Sequence, residues 1–242
     1  MQTKINTVTQ KYLVLTSIWY TSILVLFSGC ASLTGYQDGK SVGKGNVEAA
    51  ISLNFSQSPE FKEFVEPNTV ISEITTFGFP NIELAGRYGA FEKLDVTMRL
   101  NTYLNAGVGV KYQIVGNRLS DFALGLGAEI GTFGLSYSLW NTQIPLFASF
   151  HPNEKFAFYI SPRYIFQFSS LGDVKGWNYL GGNIGFLFGS RHKFGIDAGF
   201  YSVDAHGVSK VSLSSFGVGG KFVFGNNTPG AEKSGSKKKR KM

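Results

Sequence analysis

KLDVTMRLN, Lys93 to Asn101, alternates without a break: Leu94, Val96, Met98 and Leu100 point one way, and Lys93, Asp95, Thr97, Arg99 and Asn101 point the other. Successive side chains of a β-strand leave opposite faces, so a period of two over this length makes a two-faced strand and argues against a helix. The same alternation recurs through Asn81–Phe91, Leu104–Ile114, Asp121–Ile130, Phe156–Phe168, Tyr179–Phe188, Phe194–Ser202 and Phe216–Phe224. Asn46–Ser56 and Gln143–Phe150 are less regular members. The expected fold class is all-β, a closed antiparallel barrel of about ten strands within a range of 8–12.

Alternation alone does not say which face is inside. A soluble barrel turns its apolar face inward, and a transmembrane barrel turns it toward lipid. Three features favour the second. The polar face is rich in Gly and Asn and carries opposite charges, as on Glu83, Arg87, Asp95, Arg99, Lys111, Glu129, Arg163, Asp197 and Lys221, which suits a crowded interior where unpaired charge is costly. The segments run about 9–11 residues, the length of a tilted strand crossing a bilayer, and many begin or end in Tyr, Phe or Trp. Short turns at 91–93, 116–121, 151–155 and 189–193 alternate mostly with longer loops at 57–80, 131–141, 169–178 and 203–212, with Thr102-Tyr103 a short exception.

Composition agrees. The 242 residues include 30 Gly and 22 Phe but only 16% charged residues, against about 25% in an ordinary soluble domain. The net charge of +7 belongs to the ends: residues 30–225 hold 15 basic and 15 acidic side chains, while 226–242 carry a net +5. That pattern excludes a basic nucleic-acid-binding body, and no nucleic-acid partner is expected. The single cysteine, Cys30, excludes an intramolecular disulfide and a Cys-rich metal site.

Residues 1–29 have two lysines, an uncharged apolar run from Tyr12 to Phe27 and then Ser28 and Gly29, a signal peptide rather than the roughly 20-residue span of a membrane helix. Leu26-Phe27-Ser28-Gly29-Cys30 resembles a bacterial lipobox, with Phe27 in place of the commoner Leu. The resemblance implies cleavage before Cys30 and covalent diacylglycerol on its thiol. Residues 30–45 read as a flexible spacer, 46–225 as the barrel and 226–242 as a disordered basic tail. Taken together the chain resembles small outer-membrane β-barrel lipoproteins of Gram-negative bacteria. That resemblance implies outer-membrane lipid as a partner and, with an even strand count, both termini on the periplasmic side.

No phosphate-binding loop, zinc cluster or nucleophile elbow is present, and no cofactor or metal is expected. His151 and His192 fall in short turns and are expected to be solvated. Asp204-Ala205-His206 resembles the Asp-x-His pair of omptin proteases, which would make Asp204 and His206 a catalytic pair at the outer rim. Those enzymes also need a facing acidic pair to hold water. Glu60, Glu63 and Glu66 lie on the first long loop and Asp173 stands alone, so the expectation is a non-enzyme. The loop Ser58–Pro67 carries Phe61, Phe64 and Val65 at helical spacing, either a short lid or a packed cap. A barrel this narrow has an interior filled by side chains or holding one small ligand. A structural or ligand-binding barrel, a narrow transport barrel and a rim hydrolase are the three function classes that remain.

Overall fold

The computed structural model describes residues 35–57, 78–133, 136–170, 176–205 and 211–225. Ten strands follow one another: β1 (Val47–Gln57), β2 (Gly78–Gly89), β3 (Leu94–Asn101), β4 (Ala106–Val115), β5 (Phe122–Phe133), β6 (Ser136–Asn153), β7 (Phe156–Ser169), β8 (Trp177–Phe188), β9 (His192–Ala205) and β10 (Val211–Phe224). Each pairs antiparallel with its sequence neighbours, and Val47 of β1 sits opposite Phe224 of β10, closing the sheet. Closure leaves no unpaired strand edge, the condition hydrocarbon imposes on a spanning sheet.

β3 decides which face is inside. Val96, Met98 and Leu100 are 46%, 62% and 42% exposed, whereas Asp95, Thr97 and Arg99 between them are 0%, 5% and 7% exposed. The same inversion runs around the barrel, with Ile51, Leu84, Val108, Ile130, Ile160, Leu180 and Phe200 all exposed. A continuous apolar exterior on this scale exceeds the few hundred Å² that a soluble surface tolerates, and it is the surface of a barrel immersed in lipid. Aromatic rings gather at the short-turn end: Tyr88, Tyr112, Phe122, Phe150, Phe188, Phe194, Phe222 and Phe224 are exposed there. Cross-strand rungs such as Phe122–Phe150, Phe150–Phe158 and Phe158–Phe186 join many of them into a girdle.

Three local expectations are corrected. Residues 131–141 are not a long loop: β5 and β6 continue to Phe133 and from Ser136 as a hairpin whose register still pairs Gly131 with Asn141. The lengthened β6, at 18 residues, also runs past His151 at its other end, so this side chain is buried inside the barrel rather than solvated in a turn. Residues 35–45 are not a free spacer. They turn into the lumen, where Tyr36, Asp38, Ser41 and Val42 are buried.

The short connection between β3 and β4 is held by Asn101, whose side-chain oxygen accepts from the backbone N–H of Tyr103 at 3.0 Å and of Asn105 at 3.1 Å. This grip keeps Leu104 at φ 58°, a conformation that non-glycine residues seldom adopt unaided.

Candidate functional site

Among the described residues, polar side chains from many strands converge in the lumen, and residues 35–46 occupy its short-turn half. Among the described residues, 35–44 have no strand partner, so their backbone must find hydrogen bonds elsewhere. Barrel side chains supply them. Asp197 Oδ1 accepts from Gly35 N at 3.2 Å, and Ser149 Oγ accepts from Gly39 N at 2.9 Å. Gln113 accepts from Ser41 N at 2.8 Å, and Asp95 accepts from the Ser41 hydroxyl at 2.6 Å and from Val42 N at 3.1 Å. From the opposite sense, the Lys111 ammonium donates to the carbonyls of Asp38 and Lys40, both at 2.6 Å, with the Phe147 ring 5.2 Å away. The segment is therefore a plug read mainly through its backbone.

Close backbone approach shapes its exit. Gly43 adopts φ +81°, and a Cβ on Gly89 would overlap the Gly43 carbonyl. Gly45 N donates to Gly89 O at 2.8 Å, and Gly89 N donates to Asn46 O at 3.0 Å, locking plug to β2 at this point. Gly89→Val is expected to lower stability by about 1–3 kcal/mol, as overpacking does where only backbone can yield. The fall in the temperature at which the barrel loses its compact mobility on unheated gels measures it, and an unchanged temperature would contradict the close approach.

Around the plug, buried charges are paired, as a low-dielectric interior requires. Arg87 donates through Nε to Glu48 at 2.8 Å and lies 4.0 Å from Asp95. Lys221 is 3.2 Å from both Asp38 and Glu48. Higher in the lumen, Arg99 donates through Nε to Glu129 at 3.0 Å and through Nη2 to Gln143 at 3.0 Å, and it lies 4.0 Å from Glu83. Arg163 shares Gln143 at 3.4 Å. Asp197 gathers Tyr159 O–H at 2.5 Å and Asn183 at 2.7 Å besides the plug. Between plug and β2, beside Tyr36, Arg87 and Arg99, a void of only about 10 Å³ remains, about enough for one water. Toward the long-loop end the inner face of β7–β10 becomes apolar, and Ile165, Tyr179, Tyr201, Val203 and Leu213 pack together.

At the short-turn mouth the lumen opens into a cavity of about 340 Å³ between the plug, the β4–β5 turn and the β8–β9 turn. Burial pushes the Arg118 guanidinium and the Lys40 ammonium down from their ordinary values; Glu92 and Asp95 partly offset this for Arg118, and Asp38 and Asp121 for Lys40. His151 stands at the cavity wall with its Nε2 2.9 Å from Ser149 Oγ.

The charges assigned to the interior from the sequence lie on the inner face: Glu83, Arg87, Asp95, Arg99, Lys111, Arg163, Asp197 and Lys221 are buried, and Glu129 is nearly so. Across β2 and β3, Arg87 meets Asp95 and Arg99 meets Glu83, each at 4.0 Å. Register sets Thr97 opposite Arg87 and Ala85 opposite Arg99, and the closer partners are Glu48 of β1 and Glu129 of β5. Glu48 and Asp38 are the acids that sequence reasoning missed. The irregular alternation of β1 hid the first, and the second belongs to the plug. Cys30 and His206 fall outside the described residues, as do the loop 58–77 and the tail; Asp204 lies near the long-loop end of β9. Among the described residues no group of three or more His, Cys, Asp or Glu side chains is placed to hold a metal.

A closed ten-strand antiparallel barrel with a lipid-facing exterior and a filled polar interior defines a membrane-spanning β-barrel protein. No family model matches the chain. No curated protein matches it either. Among solved structures it is similar to the outer membrane protease OmpT from Escherichia coli, with 11% identity, TM-score 0.41, and coverage of 74% of this chain and 97% of that one. It is likewise similar to the outer membrane protein OprG from Pseudomonas aeruginosa, with 16% identity, TM-score 0.35, and coverage of 78% and 99%. A third is Ail, the attachment invasion locus protein of Yersinia pestis, with 13% identity, TM-score 0.31, and coverage of 75% and 99%. At these identities and scores, the class assignment rests on the barrel's own exterior and interior.

Proposed function

We propose that this protein is a sealed β-barrel of the bacterial outer membrane, with a structural or anchoring role, and not an open pore. The observation that supports this is the plug: residues 35–46 fill the short-turn half of the lumen and are held there by side chains of β3, β4, β6 and β9. Apolar side chains from β7 to β10 pack across part of the other half. An exterior made for lipid and an interior made for a segment of its own chain fit a scaffold that presents its loops and mouth at the two membrane surfaces. Short turns on outer-membrane barrels face the periplasm, which would place the 340 Å³ cavity on that side. The lipid proposed at Cys30 would then add a second attachment to the one the barrel makes.

The intact protein inserted into planar lipid bilayers is expected to hold the baseline current under applied voltage. Sustained, uniform current steps from the intact chain would overturn the sealed reading in favour of a narrow transport barrel.

A further inference from the structure

The cavity of about 340 Å³ at the short-turn mouth is lined by charges of both signs. Two of its acids are already engaged: Asp38 with Lys221, and Glu48 with both Lys221 and Arg87. Asp121 and Glu154 also line it, exposed on the rim. Four further cations line the same space. Lys40 comes from the plug, Arg118 from the β4–β5 turn, and Arg191 and Lys193 from the β8–β9 turn and the first residues of β9. Lys40, Arg118 and Lys193 form no ion pair among the described residues. Arg191 is fastened to the wall by donating to the Val223 carbonyl at 3.0 Å and the Gly225 carbonyl at 3.3 Å.

We propose that this cavity is a binding site for a small ligand bearing at least two anionic oxygen groups, phosphoryl or carboxylate. At about 340 Å³ it lies at the small end of ligand pockets. Charge-assisted hydrogen bonds from Lys and Arg to oxyanions are about twice as strong as neutral ones, and the guanidinium fork matches two oxygens at once. Partial withdrawal of Lys40 and Arg118 from water strengthens their attraction to a charged ligand. Lys40, Arg118 and Lys193 come from three separate elements, so a ligand with several anionic groups engages them more completely than one with a single anionic centre. A ligand with separated anionic groups bridges the plug to both turns and pins Lys40, and with it the plug, against the barrel.

Calorimetric titration of the full-length, detergent-solubilised protein with sodium pyrophosphate at low ionic strength tests this. One ligand per chain is expected, with affinity at least tenfold weaker in Arg118→Gln/Lys193→Gln and also weakened in Lys40→Gln. Each variant is first required to show the compact, heat-modifiable mobility of the parent. Trisodium citrate runs as a parallel arm: tighter pyrophosphate binding assigns phosphoryl groups, tighter citrate binding assigns carboxylates, and either supports the site. Three results overturn it. One is no saturable binding of either anion. Another is an unchanged affinity in the variants, which would place the binding on the lysines of the tail. The last is preferential binding of spermine, which would mean that the four acids dominate the cavity.

Discussion

Deleting residues 31–45, so that Cys30 joins directly to Asn46, is expected to turn a silent barrel into a conducting one. Apart from the backbone bonds at Gly89, the hydrogen bonds that hold the plug to the barrel run to side chains on the inner face, and none replaces a rung of the strand ladder. Removing the segment therefore leaves all ten strand pairings intact. What it leaves behind is a lumen half lined by Lys111, Asp95, Gln113, Ser149 and Asp197, groups that cannot stay dry without partners. Water follows into that half and solvates them, which limits the loss of stability. The passage then narrows at the Arg99–Glu129 pair and at Tyr201, so small, cation- and anion-permeable steps are expected rather than porin-sized ones. Bilayer recordings of parent and deletion variant, compared at equal protein, measure the effect. A deletion variant that folds and stays silent would show that the side chains of the long-loop half seal the barrel unaided, and the plug would then be a strut without a gating consequence.

The barrel wall was legible because KLDVTMRLN and its repeats write one face in apolar residues and the other in polar ones, and closure follows once both edges must be paired in lipid. The plug was not legible, for a physical reason. Its fit depends on barrel side chains gripping its backbone, as Lys111 grips two carbonyls and Asp95 grips Val42 N, so GYQDGKSVGKGN carries no periodic pattern of its own. The glycines that read as a flexible spacer are what allow the close passage at Gly89. His151 reads as a turn residue because Pro152 and Asn153 signal a turn, whereas β6 extends to Asn153 with a register shift after Phe150. The apolar cluster at the long-loop end was hidden differently. Tyr164, Ile165 and Phe166 are apolar on both faces, and a period of two cannot be read where the faces do not differ.

Arg99→Met is expected to be the most destabilising single change in the barrel wall, at about 3–5 kcal/mol, the usual cost of removing one member of a buried ion pair. Arg99 sits between two carboxylates, Glu129 and Glu83, and also satisfies the Gln143 carbonyl oxygen. Without it, two buried acids face each other across the lumen, and Gln143 keeps only the longer bond from Arg163. Each then loses either its charge or its burial. Methionine keeps most of the side-chain volume, so the loss reads electrostatics rather than a cavity. A paired substitution separates the two. Arg99→Met combined with Glu129→Gln removes one of the stranded charges and is expected to recover a large part of the loss, whereas Glu129→Gln alone, which leaves Arg99 with Glu83, is expected to cost less than Arg99→Met. Unfolding in urea followed by tryptophan fluorescence, with folded and unfolded forms separated on unheated gels, gives the three free energies. Equal losses for Arg99→Met with and without Glu129→Gln would mean that the arginine contributes through its packing alone, and that the lumen's charges are incidental to the strength of the wall.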